Sequence, residues 1–216
     1  MDYLKIRRGY ASALYEKVIS STGTPISLLD IGTGPGTVVL GLQSHVSEAI
    51  GIDSDPEMIG EASRLADEKI RFFCKSIQDF QLEKQFDLVT IAQGLEHMPV
   101  SSYKNISRYV RPGGALAIFW KYPDVTTPVS KIFAEALRPR EYMKDRLHAY
   151  DLTTHFGPFQ LSLETYAEFK SEEIYKAEDW LSSLDITETE KDTLRVKTPK
   201  YVTEAFINYL WLFRKA

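Results

Sequence analysis

Apolar positions follow two alternating rhythms along this chain. Ile6, Tyr10, Ala13, Leu14 and Val18 recur at near-helical spacing and predict a helix over residues 3–20, closed by Gly23-Thr24-Pro25. Ile26-Ser27-Leu28-Leu29-Asp30-Ile31 is instead a short, nearly continuous apolar run, the pattern of a strand buried on both faces. The same exchange repeats. Residues 37–45 read as helix and 48–53 as strand. A helix then runs to about Asp67, with Asp55 or Ser54 as its cap and Pro56 in its first position. Residues 70–75 and 86–92 predict a third and a fourth strand. A helix over 99–110 is stopped by Arg111-Pro112-Gly113-Gly114, and 115–120 is a fifth strand.

Past residue 121 the rhythm changes. Residues 128–150 predict one or two helices broken at Pro139. Phe159, Leu161 and Leu163 alternate with Gln160, Ser162 and Glu164, which predicts a strand over 159–169. A helix is expected over 171–184, capped by Ser171 with Glu172 and Glu173 in its first turn, and another over 187–196. Residues 205–213 make a seventh strand. Strand–helix alternation implies right-handed crossovers and an α/β fold, doubly wound around a mostly parallel sheet. Ligands of such sheets lie beyond the C-terminal ends of the strands, here at 32–36, Asp53, 76–79, 92–97 and 121–124. Pattern alone leaves the order and direction of the last two strands open.

Composition narrows the setting. A length of 216 residues suits one α/β domain with a modest elaboration. The net charge of −4 lacks the basic excess of a bare nucleic-acid-binding surface. The small basic clusters Arg7-Arg8, Arg138 and Arg140 read as solvated surface. Cys74 is the single cysteine, which rules out an internal disulfide; within Ile70-Arg71-Phe72-Phe73-Cys74 it reads as a small core residue. No apolar run is long enough to cross a membrane, and Met1-Asp2-Tyr3-Leu4-Lys5 lacks the apolar core of a signal peptide. Both features point to the cytoplasm.

Chemistry concentrates in Gly32-Thr33-Gly34-Pro35-Gly36, directly after the first strand. Glycines there let backbone approach a ligand closely, either a dinucleotide or a nucleoside without phosphate. A dinucleotide turn places a third small residue three positions after the second glycine; that position is Thr37, and the extra glycine comes one residue early. Pro35 also removes a backbone donor. Both features favour a ligand without pyrophosphate. Asp53, about twenty residues further at the end of the second strand, can accept hydrogen bonds from both ribose hydroxyls.

These segments resemble class I S-adenosylmethionine-dependent methyltransferases. Leu28-Leu29-Asp30-Ile31-Gly32-Thr33-Gly34-Pro35-Gly36 is similar to their first motif and Gly51-Ile52-Asp53-Ser54-Asp55-Pro56-Glu57-Met58 to their second. Phe86-Asp87-Leu88-Val89 with Leu95-Glu96-His97 resembles the fourth-strand motif, and Arg111-Pro112-Gly113-Gly114 the stretch before strand five. The N-terminal Tyr3, Arg7 and Gly9-Tyr10 and the C-terminal Tyr209-Leu210-Trp211-Leu212 resemble the small-molecule branch of trans-aconitate type. The resemblance implies a seven-stranded Rossmann-like sheet with helices on both faces. It divides the chain into an N-terminal helical lid (1–24), a cofactor-binding core (25–120) and acceptor-site helices with the last two strands (121–216).

It also implies roles. Asp30 orders the glycine turn and meets the cofactor's amino group, directly or through water, while Gly32, Thr33, Gly34 and Gly36 shape the turn under the methionine tail. Asp53 holds the ribose and Ser54 and Met58 flank the adenine. Ile77 and Gln78 contact the adenine ring and its amine, with Asp79 the polar alternative. Ala92 and Gln93 lie beneath the methionyl part. Tyr3, Arg7 and Tyr10 close over the cofactor.

Methyl transfer from a sulfonium needs alignment and exclusion of water above all. A carboxylate acceptor needs no base; an alcohol, amine or phenol does, and His97, just past strand four, is the candidate, ahead of Glu96. Trp120 is either core or, with Tyr122, a wall of the acceptor pocket. Asp124 alone cannot build a metal site, so no metal is expected. Gln93-Gly94-Leu95-Glu96 is not the Asn/Asp-Pro-Pro-aromatic motif of amino-directed nucleic-acid methyltransferases. The expected partner is therefore a small-molecule methyl acceptor. The competing readings are an NAD-dependent oxidoreductase and a non-catalytic S-adenosylmethionine-binding module.

Overall fold

A computed structural model of the chain describes residues 9–124, 126–136, 152–184 and 186–216. Strands β1 (Ile26–Ile31), β2 (Val46–Asp53), β3 (Ile70–Cys74), β4 (Phe86–Ala92), β5 (Val110–Pro123), β6 (Leu161–Lys176) and β7 (Tyr201–Lys215) join in one sheet. Its order is β3-β2-β1-β4-β5-β7-β6. The first five are parallel neighbours, whereas β7 runs antiparallel to both β5 and β6. The sheet is thus mostly parallel, with the last strand inserted as an antiparallel element.

Period-two alternation within the central strands sorts their side chains to two faces. Leu28, Leu88, Ala117 and Phe119 join Leu14 and Val18 of α1 (Ser12–Thr22) and Val38, Val39 and Leu42 of α2 (Thr37–Leu42) in one core. Leu29, Val89, Ile118 and Trp120 face the other way, onto Tyr103 and Ile106 of α4 (Ser102–Tyr109), with α3 (Pro56–Ala62) lying beyond β2 in sequence. Each fully buried Leu, Ile or Phe contributes about 1.5–3 kcal/mol. Because both faces are covered, the strands are continuous apolar runs.

A third, smaller core gathers where β6 and β7 extend past the main sheet. Val129 of α5 (Pro128–Ala136), Tyr175, Trp180 and Leu181 of α7 (Ala177–Ser183), Leu194 of α8 (Glu188–Arg195) and Val202 pack there, while α6 (Leu152–Phe156) packs on the main sheet through Phe156. Thr187 caps α8 in a reciprocal capping box with Glu190.

Several expectations change. The helix expected over 3–20 is described from Ser12 on; Tyr3 and Arg7 lie outside the described residues, as do Arg138, Pro139 and Arg140. The helix expected over 171–184 begins only at Ala177, because β6 keeps its ladder to β7 through Lys176 opposite Tyr201. Ser171 is therefore no cap: its Oγ accepts from Asn208 Nδ2 at 2.8 Å across the sheet, and Glu173 is ion-paired with Lys121. Inward polar residues satisfied by neighbouring strands override the helix-start composition. Cys74 is exposed rather than core, because β3 is the sheet's edge strand. No helix among the described residues is long and apolar enough to cross a membrane.

Candidate functional site

The order in which the chain adds parallel strands reverses between β1 and β4: β2 and β3 are added on one side of β1, β4 and β5 on the other. A crevice opens at the strand ends of such a switch point. Here it is a cavity of about 440 Å³, walled by the glycine turn, the ends of β2 and β4 and the segments after β3 and β4. Its apolar lining includes Ile31, Ile52, Met58, Ile77 and Met98; its polar lining includes Asp53, Ser54, Gln78 and His97.

The glycine turn is left-handed at Gly32, Gly34 and Gly36, with φ of 69°, 54° and 86°. Gly36 is constrained twice, because a Cβ there would also stand 2.8 Å from Leu65 Cδ1. We expect Gly36→Ala to destabilise the fold by about 1–2 kcal/mol, the cost of a left-handed L-residue. Urea unfolding checks this; an unchanged midpoint would show that the turn does not need glycine.

Two carboxylates organise the turn from opposite sides. Asp53 Oδ2 accepts the Gly34 amide at 2.8 Å and Oδ1 the Asp55 amide at 2.9 Å, so one side chain ties the turn to the end of β2. Asp55, not Asp53, caps α3 by accepting the Glu57 amide. Asp53 remains partly exposed on the crevice, where a carboxylate has lone pairs left for a ligand. Asp30 is fully buried beneath the turn and accepts from Thr33 Oγ1 at 2.7 Å and Thr90 Oγ1 at 2.6 Å. Burial pushes its carboxyl up from 3.8 to about 6, against the two hydroxyls that hold it down.

On the β4 side, Gln93 adopts φ of 50°, unusual for a residue with a side chain. Its Nε2 donates to the Lys121 carbonyl at 3.1 Å and its Oε1 accepts from Tyr10 Oη at 3.2 Å. Gln78 Nε2 donates to Ser102 Oγ at 2.6 Å. His97 ends a single 3₁₀ turn, Leu95–His97, and its exposed ring faces the same cavity.

Gly32, Thr33, Gly34, Asp53, Ser54, Met58, Ile77, Gln78, Ala92, Gln93 and His97 therefore converge on one crevice, with Tyr10 at its edge. Asp30 and Gly36 lie behind the lining and act on it through the turn. Trp120 is core at 1% exposure, its indole donating to Glu96 Oε2 at 3.1 Å, and neither it nor Tyr122 lines the cavity. Lys75, Val38, Met98 and Pro99 line it without having been singled out from sequence. Their signal was only position: directly after a strand, the glycine turn or the 3₁₀ turn. Among the described residues no cluster of three metal-ligating side chains is present.

Comparison with known proteins points to methyltransferases. A family model described as a methyltransferase domain matches residues 28–114. An uncharacterized methyltransferase of Schizosaccharomyces pombe is 29% identical over 135 residues, covering 56% of this chain and 45% of its own. A ubiquinone biosynthesis O-methyltransferase of Coxiella burnetii is 30% identical over 95 residues, 41% of each chain. The chain thus spans less than half the length of these relatives. The crystal structure of the N-methyltransferase NodS from Bradyrhizobium japonicum, in complex with S-adenosyl-L-homocysteine, shares the fold, with a TM-score of 0.59 at 18% identity over 94% of this chain and 84% of that one.

Proposed function

We propose that this chain, whose residues 28–114 match a methyltransferase domain, is a class I S-adenosylmethionine-dependent methyltransferase and transfers the methyl group of that cofactor to a small-molecule acceptor. The observation that carries this reading is the crevice itself: a left-handed glycine turn, lacking one amide at Pro35, bound edge to edge with a ribose-competent carboxylate at Asp53. A partly apolar cavity of this size, with no amide at Pro35 in its turn, suits an adenosyl compound better than a diphosphate. Two carboxylates, one lining the cavity and one beneath it, suit a ligand with cationic groups.

In this reading Asp53 receives the ribose hydroxyls, and Ser54, Met58, Ile77 and Gln78 bind the adenine. Thr33, Gly34, Ala92 and Gln93 cradle the methionyl tail, and Asp30 fixes the turn from below. S-adenosylmethionine bound there supplies a methyl group already activated by its sulfonium. The residues have then to align, to exclude water and, for a protic acceptor, to take a proton at His97. Within residues 1–24 the covering role falls to Tyr10, since α1 is fixed to the sheet through Leu14 and Val18; 25–120 serves as cofactor core and 121–216 as acceptor side. The slight net negative charge and the relative named for ubiquinone biosynthesis both favour a small acceptor over nucleic acid.

Calorimetric titration tests the reading. Wild-type protein is expected to bind S-adenosylmethionine and not NAD. Asp53→Ala is expected to weaken binding by about 1–3 kcal/mol, the scale of lost hydrogen bonds to a charged group. Equal affinity in the variant would remove Asp53 from the ribose. Methyl-labelled cofactor incubated with fractionated extract should place its label in the metabolite fraction; label in protein or RNA would overturn the small-molecule assignment.

A further inference from the structure

Two buried polar side chains of the sheet are aimed at the backbone of residues 9–11. Lys121 of β5 and Asn208 of β7 stand opposite each other in the antiparallel pair. Lys121 Nζ donates to the Gly9 carbonyl at 2.9 Å, and Asn208 Oδ1 accepts the Ala11 amide at 3.2 Å. Both are held from behind. Lys121 is ion-paired with Glu173, which also receives the Tyr175 hydroxyl, and its ammonium lies 4.4 Å from the Phe206 ring centroid. Asn208 Nδ2 donates to the Phe169 carbonyl and to Ser171 Oγ.

Between the two anchors sits Tyr10. Its ring packs edge-on to Phe119, with centroids 5.3 Å apart, and its hydroxyl donates to Gln93 on the crevice wall. Gln93 in turn donates to the Lys121 carbonyl, which closes a ring of contacts from Lys121 through Gln93, Tyr10 and Gly9 back to the Lys121 ammonium. A lysine side chain 8% exposed, paired with a carboxylate 10% exposed, is costly to desolvate, and an apolar pair of equal volume would fill the space at least as stably. What an apolar pair cannot do is hold the Gly9 carbonyl at a fixed separation from the Ala11 amide that Asn208 accepts.

We propose that Lys121 and Asn208 are positioning residues that seat residues 9–11 so that Tyr10 covers the cofactor crevice, with Glu173 fixing the lysine. This rests on the methyltransferase reading. The test is a double-mutant cycle read by calorimetric titration of S-adenosylmethionine, with thermal melting to show that each variant is folded. Lys121→Met/Glu173→Gln keeps the buried site neutral and removes the grip on Gly9; Tyr10→Ala removes the cover. Each is expected to raise Kd about tenfold, the loss of roughly one strong contact. Combined, they are expected to lose no more than Tyr10→Ala alone, because the anchors act only through Tyr10. If the double variant does not fold, Asn208→Ala enters the same cycle, since it removes the acceptor of the Ala11 amide. Losses that multiply, or anchor variants that bind like wild type, would overturn the proposal and leave the cofactor assignment standing. Failure of the wild type to bind would overturn both.

Discussion

His97→Gln is expected to lower kcat by roughly 10²–10⁴-fold on a protic acceptor, the range over which a positioned base acts. His97 is the one imidazole on the crevice among the described residues, and it lies in the segment that follows β4. The 3₁₀ turn that carries it is pinned by Leu95, which is fully buried, so the ring's origin is fixed although the ring is exposed. Glutamine preserves length and polarity but cannot take a proton at neutral pH. The measurement is single-turnover methyl transfer at saturating cofactor, so that binding does not enter. A variant at full rate would remove the proton-accepting role and mark an acceptor that is already anionic, such as a carboxylate.

Asp30 yields the second large effect, on stability. An unfolded aspartate ionises near 3.8 and the buried one at about 6. Between those values the folded state holds a proton that the unfolded state has released, so stability is highest below about pH 4 and falls as pH rises to about 6. The total is about 3 kcal/mol, at 1.36 kcal/mol per unit. Asp30→Asn removes this slope; Thr33 and Thr90 hydroxyls can still pair with a side-chain amide. Other shifted carboxyls act elsewhere. Asp87 is partly buried, which would raise it, but the Ser27 hydroxyl and amide and the Arg111 guanidinium hold it low. Glu164 is held low by Arg214. Their stabilisation is lost only as pH falls below the ordinary carboxylate range. Urea unfolding of wild type and variant at pH 4, 5, 6 and 7 separates the groups. Parallel curves would show that Asp30 is not the carboxyl titrating near 6.

What the chain declares about itself divides near residue 121. The five parallel strands were legible because a strand buried on both faces needs an apolar run, and a glycine turn needs positive φ. Asp55-Pro56 announced α3 in the same way, through a side-chain acceptor and a ring without an N–H. The site inherited that legibility, since its residues follow strand ends. Beyond residue 121 the strands place polar residues inward: Glu173, Glu204 and Asn208 are all buried. Such positions look like surface until their partners on other strands are known. Ser171-Glu172-Glu173 therefore imitated a helix start, and Lys121, placed by pattern among the ligand-side strand ends, instead holds the Gly9 carbonyl and Glu173. The orientation of Trp120 was likewise hidden, because a tryptophan past a strand suits a pocket wall and a core equally well.

The place of β7 carries a consequence for biosynthesis. It is translated after β6 yet lies between β6 and β5. The parallel half, β3 to β5, can assemble while the last strand is still within the ribosome, but β6 has no neighbour until β7 emerges. Through that interval the flank of β5 bearing Phe119 and Trp120 is open, and a nascent chain stalled there presents an adhesive edge to holdase chaperones and to other chains.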